Sequence, residues 1–371
     1  MDFDFSEEQL QLREAVGRWV EKAYTFDKRR ANVKAGGFDA NAYQELAQLG
    51  LVGLLISDEH DGLGMGPVES MLVLEELGKG LVIEPIAQTA VVAQVLSRYA
   101  TTAMQSDLLP SLASAEKLAV LAHTEKAGRY HLHKCQASAH VTNNGWQLTG
   151  VKNVVPFAQY ADAFIVPANL NGKMALFWLE RQQEGVTTSA YQCQDGSAAG
   201  DVGFTNANAQ LITENGLEAL EWAADVAIAG LCAQAVGAMD KVLTITGDYL
   251  NTRKQFGVAI SSFQALRHRF ADMKMQLELA RSMSYYATLK LTAPAAERKM
   301  AMARAKYQLG VSMRYVGQQA VQLHGGIAMT DEYIMSHYFK RLTQIEMTMG
   351  DTLHHLAYVS NHMQDTAGVF V

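Results

Sequence analysis

Two short segments carry the side chains best suited to hold the phosphates of a nucleotide. They are Arg253-Lys254-Gln255-Phe256-Gly257 and, further along the chain, Gln322-Leu323-His324-Gly325-Gly326. An arginine guanidinium is a planar cation that can meet two phosphate oxygens at once. A glycine pair lets the backbone approach a ligand closely because no Cβ stands in the way. Together, Arg253 and Gly325-Gly326 predict a pyrophosphate site rather than a surface arginine and a helix-ending glycine pair.

Composition narrows the class of protein. The 371 residues carry a net charge of −7, and 49% of them are hydrophobic. A chain of this length exceeds one compact core and indicates two or three domains. The acidic balance, without a basic stripe, disfavours nucleic acid as a partner.

Cysteine usage and apolar stretches bear on location. Cys135, Cys193 and Cys232 are odd in number and far apart, which is typical of a reducing compartment without disulfides. Residues 1–4 lack the basic start of a secretory signal, and the most apolar stretch, 226–239, is short for a membrane span. We therefore expect a cytoplasmic protein with no membrane span.

One group of side chains has the alternation of a metal site. His131, His133 and Cys135 would project from one face of a strand. A zinc ion needs a further ligand to complete a tetrahedral structural site, and none is evident nearby. The sequence therefore predicts no metal.

The first part of the chain, residues 1–115, reads as helices. Ser6 and Gln9 form a capping box before an amphipathic run, and Asp39 is suited to cap a second helix. We predict an all-α N-terminal domain.

The other two parts differ in period. Residues 116–215 contain short strand-like runs separated by Asn144-Gly145 and Asn171-Gly172, both strong hairpin signals. They predict a small antiparallel β domain that ends in a polar loop near 195–201. Residues 216–371 keep helical spacing to the end and predict four long antiparallel helices in a bundle.

The order of these parts and the motifs within them resemble the acyl-CoA dehydrogenase family. The resemblance implies that family's fold and its reaction, the FAD-dependent α,β-dehydrogenation of an acyl-CoA thioester. It covers nearly the whole chain. The motifs that carry it are Phe5-Ser6-Glu7-Glu8-Gln9, Leu74-Glu75-Glu76-Leu77-Gly78, Arg253-Lys254-Gln255-Phe256-Gly257, Phe263-Gln264, Gln322-Leu323-His324-Gly325-Gly326 and Asp331-Glu332-Tyr333.

The resemblance also assigns residues to the cofactor. It implies that FAD lies between the β domain and the bundle, and that a neighbouring subunit completes the adenine end. Arg253 would pair with the pyrophosphate, and Phe256 would pack on the dinucleotide. The residues assigned to the dinucleotide are Arg253, Phe256, Gln264, Gln322, Gly325 and Gly326.

At the flavin ring the chain departs from the family pattern. Thr124 matches a family threonine beside the ring, with an ordinary β-domain threonine as the alternative interpretation. Many relatives have Trp-Ile-Thr where this chain has Val154-Val155-Pro156. Valine supplies no indole to pack on the ring, and proline has no N–H to donate. A flavin ring bound here would lack some of its usual contacts.

The catalytic base is missing from both positions where the family carries it. The reaction needs a carboxylate in a dry pocket to take the proton α to the thioester. One usual position corresponds to Met349 and the other to Ala227, and neither side chain can accept a proton at neutral pH. Glu346 and Asp351 lie close to Met349 in sequence and are weak substitutes, since each is better explained as a solvated or ion-paired acid.

Three functions remain open from the sequence. The first is a base-less subunit of a heteromeric acyl-CoA dehydrogenase, similar to those that act on steroid or pimeloyl thioesters. The second is a self-sufficient dehydrogenase with an unusual base, and the third is a flavin-dependent monooxygenase or oxidase on the same fold. The expected partners are an acyl-CoA thioester, a second dehydrogenase-like subunit in a dimer or tetramer, and an electron-transferring flavoprotein.

Overall fold

The computed structural model describes residues 5–143 and 145–363, so Asn144 of the predicted Asn144-Gly145 turn lies outside it. The helices of the first part are α1 (Glu7–Ala23), α2 (Phe26–Lys34), α3 (Ala40–Gln48), α4 (Pro67–Lys79), α5 (Ile86–Tyr99) and α6 (Thr102–Ala113). The strands that follow are β1 (Ala119–Leu121), β2 (Ser138–Thr142), β3 (Gly145–Pro156), β4 (Ala163–Leu170), β5 (Lys173–Glu180), β6 (Val186–Gln192) and β7 (Ala198–Thr213). The last part contains α7 (Gly216–Thr252), β8 (Lys254–Gln255), β9 (Val258–Ala259), α8 (Gln264–Lys290), α9 (Ala295–His324), α10 (Ile334–Met347) and α11 (Thr352–Met363).

This order of elements confirms the predicted fold class of helices, β domain and helices. Among the described residues, the C-terminal part has three long helices, α7 to α9, and two shorter ones rather than four long ones. The elements change type close to the predicted boundaries, since α6 ends before residue 115 and α7 begins at Gly216. The three-domain division itself stays a prediction, because the chain forms two compact units that are discontinuous in sequence.

The first unit, which we call the bundle unit, comprises Met1–Arg29, Pro67–Val82 and Ile228–Val371. Its core joins α8 to α9 through small and apolar side chains such as Leu277, Ala280 and Leu309. Helices α4 and α7 approach each other closely. A Cβ on Gly237 would lie 1.8 Å from the Glu75 carbonyl oxygen, so only glycine permits this approach.

The second unit, which we call the sheet unit, comprises Arg30–Gly66 and Ile83–Ala227. Strand order is β1-β4-β2-β3-β7-β5, with β6 on β7. Because β5 pairs back to β4, five strands close into a ring. The pairs are antiparallel except for β1–β4 and β2–β4, which are parallel.

The end of the β domain was predicted wrongly. A polar loop was expected near 195–201, but Ala198 begins β7, the longest strand, which runs to Thr213. Strand β7 pairs with β3, β5 and β6, so its many small and polar residues are held by backbone ladders on both sides. Its strand character comes from these long-range pairings rather than from its composition.

Helix α7 is longer than the apolar stretch that it contains. It is the one described helix long and apolar enough to cross a membrane, with a mean hydropathy of 1.5 over its most apolar window. However, 72% of that window is buried inside the protein. Such burial is typical of a core helix.

Candidate functional site

Arg253 lies directly after α7 with its guanidinium exposed. Its N–H donates to the Tyr249 carbonyl at 2.9 Å and its carbonyl accepts from Ile260 N–H at 2.9 Å, which fixes the backbone. Within the part of the chain that the structure describes, no side chain pairs with the guanidinium. The cation is therefore free to meet an anionic ligand.

Phe256 stands at the tip of the β8–β9 hairpin in a strained conformation. Phe256 and Gly257 have φ of 52° and 79°, so both central residues of this two-residue turn have positive φ, as a type I′ turn requires. A bulky residue seldom adopts that region. The ring is 91% exposed and touches only the edge of Phe263 among aromatic rings described, with centroids 6.1 Å apart. Strain and exposure together indicate a contact surface for another molecule.

Gly325 and Gly326 end α9 with open space beside them. Gly325 has φ 71° and ψ −147°, a region that glycine alone adopts readily. A Cβ on Gly326 would meet no described atom within 4 Å, and its φ is not positive. The fold of this chain does not itself require glycine at position 326. A ligand or subunit bound close to the backbone would require glycine there, because a Cβ would block its approach.

His324 has a buried imidazole that sequence reasoning passed over. The ring stacks on Tyr249 at 4.4 Å, and its Nδ1 lies 2.8 Å from the Ala320 carbonyl, to which it donates. Its Nε2 is then an acceptor, and it is buried with no hydrogen-bond partner among the described residues. Burial lowers the pKa of this imidazole. The contact brings the end of α7, just before Arg253, against the end of α9.

Gln264 is the first residue of α8 and is exposed. The residue before it, Phe263, caps the helix without a side-chain hydrogen bond. Leu266 N–H donates to the Phe263 carbonyl at 3.1 Å, which leaves the N–H groups of Gln264 and Ala265 without an acceptor among the described residues. The start of this 27-residue helix therefore favours anions. Gln322, on the last turn of α9, is also exposed. The bundle unit thus carries all six residues that the sequence assigned to the dinucleotide.

Met349 lies in the turn between α10 and α11. It has φ 57°, and its carbonyl accepts from His355 Nε2 at 2.9 Å. Ala227, the other usual base position, lies within α7. Neither position offers a proton acceptor.

The two acids near Met349 are used to start α11. Glu346 Oε1 accepts from Thr352 N–H at 3.0 Å and from Thr352 Oγ1 at 2.6 Å, and it pairs with Arg314 at 3.3 Å. Asp351 Oδ1 accepts from His354 N–H at 2.8 Å as a helix cap. Both carboxylates therefore have structural partners.

Lys306 holds this turn from beneath, which the sequence did not predict. Its buried ammonium donates to the carbonyls of Glu346 at 2.8 Å and Gly350 at 2.9 Å. Burial lowers its pKa to about 8, partly offset by the nearby Cys232, Glu346 and Asp351. Lys306 thus fixes the backbone of the turn around Met349, one of the two positions where the sequence analysis expected a base.

In the sheet unit, Thr124 lies beside a buried ion pair. Its carbonyl accepts from Asn153 N–H at 2.8 Å, and its hydroxyl lies 3.4 Å from His123 Nε2. Burial, with the Lys152 charge, lowers the pKa of His123 to about 4. Lys152 Nζ in turn donates to Glu125 Oε1 at 2.6 Å.

Val154, which the sequence analysis matched to a family tryptophan, has a strained backbone conformation. Its φ is 52°, an outlier for a β-branched residue, and the side chain is 50% exposed. Its N–H donates to Tyr191 Oη at 3.0 Å and to Asp201 Oδ1 at 3.1 Å. The backbone is well held, but the wall it forms presents only two methyl groups.

Several features of the bundle unit suit the dinucleotide of FAD. A free guanidinium, an open helix terminus, a glycine that the fold itself does not need and an unpaired buried imidazole nitrogen all suit a dinucleotide. The bundle unit fits the nucleotide end. In residues 5–143 and 145–363, no group of three His, Cys, Asp or Glu side chains is placed to hold a metal.

Known acyl-CoA dehydrogenases are similar to this chain in sequence. The family model described as acyl-CoA dehydrogenase, N-terminal domain, matches residues 6–116, and the C-terminal domain model matches residues 214–363. Acyl-CoA dehydrogenase IpdE2 of Mycolicibacterium smegmatis is 30% identical, over 91% of this chain and 92% of that protein. Acyl-CoA dehydrogenase FadE27 of Mycobacterium tuberculosis is 25% identical, over 99% of this chain and 100% of that protein.

A solved structure gives the same similarity in three dimensions. It is a variant of the Tcur3481-Tcur3483 steroid ACAD, which is 27% identical to this chain. The match covers 97% of this chain and 99% of that chain, with a TM-score of 0.90.

Proposed function

Because the chain belongs to the acyl-CoA dehydrogenase family, whose members are FAD-dependent oxidoreductases, we propose that it is one subunit of a heteromeric acyl-CoA dehydrogenase. In this proposal the chain holds the nucleotide end of FAD, and a second chain of the same family supplies the base. The observation that carries it is a contrast between the six dinucleotide residues of the bundle unit and the two base positions, Met349 and Ala227. The residues suited to the dinucleotide are free, whereas both base positions lack an acid.

The chemistry divides between the two chains accordingly. Bound FAD would supply the acceptor for the hydride that leaves the β carbon of the thioester. Arg253 would neutralise the pyrophosphate, and the open backbone at Gly326 would admit the adenosine. The α proton leaves to a carboxylate, which a thioether at Met349 cannot replace.

The exposed hairpin supports an interface with the second subunit. Phe256 projects 91% of its surface from a rigid two-residue turn next to Arg253. An aromatic ring held this way is a typical anchor at protein interfaces. We infer that this hairpin completes a nucleotide pocket shared with the partner, in a dimer or tetramer.

The substrate class follows from similarity. The name of the matched solved structure joins two proteins and calls them a steroid ACAD. We therefore propose a bulky or dicarboxylic acyl-CoA thioester as the substrate. We place the enzyme in the cytoplasm, with an electron-transferring flavoprotein as the electron acceptor.

The test is a visible spectrum of the chain, alone and co-expressed with a second chain of the same family from the same genome. Flavin bands that require the partner, and bleach on anaerobic addition of acyl-CoA thioesters, are the expected result. Flavin bound and bleached by this chain alone would overturn the heteromer. Oxygen consumption linked to reduced flavin, without thioester oxidation, would instead establish a monooxygenase or oxidase.

The self-sufficient enzyme makes a different prediction. If Glu346 or Asp351 were the base, Glu346→Gln or Asp351→Asn would abolish bleaching and leave flavin bound. Because both carboxylates serve to start α11, we expect these variants to lower the thermal midpoint while bleaching by the heteromer continues. Rapid-mixing spectra of both variants measure this directly.

Arg253→Met tests the nucleotide end. Loss of a charge-assisted contact to two oxygens is expected to weaken FAD binding about ten- to hundredfold. Arg253→Lys keeps the charge but not the planar fork, so its affinity for FAD should lie between those of wild type and Arg253→Met. Flavin fluorescence titration of the apo-heteromer gives the affinities. The matched control is Lys254→Met, which removes the neighbouring exposed cation. Equal losses in both variants would mean that general charge attraction, and no specific Arg253 contact, holds the pyrophosphate.

A further inference from the structure

Tyr249 joins the two segments of the bundle unit that carry most of the dinucleotide residues. It lies in the last turn of α7, and its carbonyl accepts from Arg253 N–H at 2.9 Å. Its hydroxyl donates to the carbonyl of His324 at 3.1 Å, one residue before Gly325. Tyr249 therefore holds the arginine through its backbone and the start of the glycine pair through its side chain.

The peptide group between His324 and Gly325 is held at both of its ends. The last carbonyls of a helix have no partner within the helix, and α9 ends at His324. The hydroxyl of Tyr249 supplies a hydrogen bond to that last carbonyl. The N–H of Gly325, in the same peptide group, donates to the Val321 carbonyl. The backbone that enters the glycine pair is therefore fixed in direction.

The ring of Tyr249 is held as well as its hydroxyl. It stacks on the imidazole of His324, with 4.4 Å between centroids and 29° between planes. His324 is only 4% exposed, and its Nδ1 donates to the Ala320 carbonyl at 2.8 Å, so the imidazole cannot turn freely. The Tyr333 ring also contacts this imidazole, with centroids 5.4 Å apart. A fixed imidazole leaves the stacked tyrosine little freedom of its own.

We propose that Tyr249 is a positioning residue for the nucleotide end of FAD, because it sets the separation between Arg253 and the pair Gly325-Gly326. The inference rests on the proposed function, in which these segments hold the pyrophosphate and the adenosine. A short covalent link joins those two groups of FAD, so the segments that hold them must lie at one separation. A site already built at that separation has less freedom to lose when the ligand binds, which strengthens binding.

Tyr249→Phe in the apo-heteromer tests the proposal, since it keeps the ring and removes only the hydroxyl. The probes are FAD, measured by fluorescence titration, and ADP, which lacks the flavin and is measured by calorimetry. We expect both dissociation constants to rise by the same factor, about three- to tenfold. Tyr249→Leu also removes the stack on His324 and should weaken both ligands further. Weaker FAD binding with unchanged ADP binding would place the effect at the flavin and contradict the proposal.

The matched control is Tyr338→Phe. Tyr338 lies on α10 in the same unit, and its hydroxyl also donates to a backbone carbonyl, that of Lys79. Both variants lose the same kind of hydrogen bond and should lower the thermal midpoint, but the control should leave the affinities for FAD and ADP unchanged. Equal weakening in the control would show that lost stability, and no positioning by Tyr249, accounts for the effect.

The same samples decide the proposed function separately. Weaker FAD and ADP binding in Tyr249→Phe, in a heteromer whose flavin no acyl-CoA thioester bleaches, removes the dehydrogenase and keeps the positioning role. Bleaching by wild type, with both affinities unchanged in Tyr249→Phe, keeps the dehydrogenase and removes the positioning role. A wild-type heteromer that binds neither FAD nor ADP removes both.

Discussion

Lys152→Met is expected to lower the free energy of unfolding by about 3–5 kcal/mol, because it leaves a buried carboxylate without its cation. The side chains of Lys152 and Glu125 are 0% and 5% exposed, and their charged atoms are 2.6 Å apart. Burial alone would raise the pKa of Glu125, but hydrogen bonds from Lys152 and Gln136 hold it below its ordinary value. The carboxylate is therefore charged in the folded protein and depends on this lysine.

Urea unfolding followed by circular dichroism measures the effect. The matched control is Lys117→Met in the same unit, whose pair with Glu180 spans 3.1 Å with side chains 38% and 39% exposed. An exposed pair contributes less than about 1 kcal/mol. A Lys152→Met and Glu125→Leu double variant should recover part of the loss. Similar losses in Lys152→Met and in the control would contradict the role of burial.

Local signals in the sequence predicted much of the fold. The Ser6–Gln9 capping box and the Asp39 cap both form as expected, since each depends on residues within one helical turn. The order of helices and strands also followed from periodicity. Strand β7 did not, because its residues become a strand only by pairing with β3, β5 and β6.

In the candidate site, too, local motifs were predicted from the sequence, whereas residues that depend on distant partners were not. The motifs predicted the family, its fold and its flavin cofactor, and the bundle unit carries each predicted dinucleotide residue. His324, Lys306 and the Glu125–Lys152 pair were not predicted. Their importance comes from burial and from partners distant in sequence, which spacing alone does not reveal. Only a lone histidine inside the Gln322–Gly326 motif gave any signal.

Glu75→Gln is expected to stabilise the protein increasingly as the pH rises from about 5 to 8. Glu75 lies in the Leu74–Gly78 motif on α4 with a side chain that is 0% exposed, and neither oxygen has a hydrogen-bond partner among the described residues. Arg281 and Arg13 approach it only to 3.6 and 3.9 Å. Burial raises its pKa from the ordinary 4.5 to about 7, against the pull of these cations and Lys79.

The direction of this pH dependence is set by the state that binds the Glu75 proton more tightly. The folded protein holds the Glu75 proton more tightly than the unfolded chain. The stability from the neutral acid is therefore full below pH 4.5 and is lost as the pH rises through 7. Each pKa unit corresponds to about 1.4 kcal/mol, so the difference between Glu75→Gln and wild type should grow by roughly 3 kcal/mol across this range. Urea unfolding at pH 5 and pH 8 measures the change.

Glu278→Gln is the control, and its slope should have the opposite sign. Glu278 lies on α8 within reach of the same Arg281, at 3.5 Å, but it is half exposed. A hydrogen bond from Lys274 lowers its pKa, so Glu278 contributes stability above its ordinary pKa and loses it as the pH falls. As the pH rises, the free energy of unfolding of wild type should therefore increase relative to that of Glu278→Gln. Relative to that of Glu75→Gln it should decrease. A difference for Glu75→Gln that stays constant with pH would show that Glu75 is charged throughout, held by Arg281 and Arg13 despite its burial.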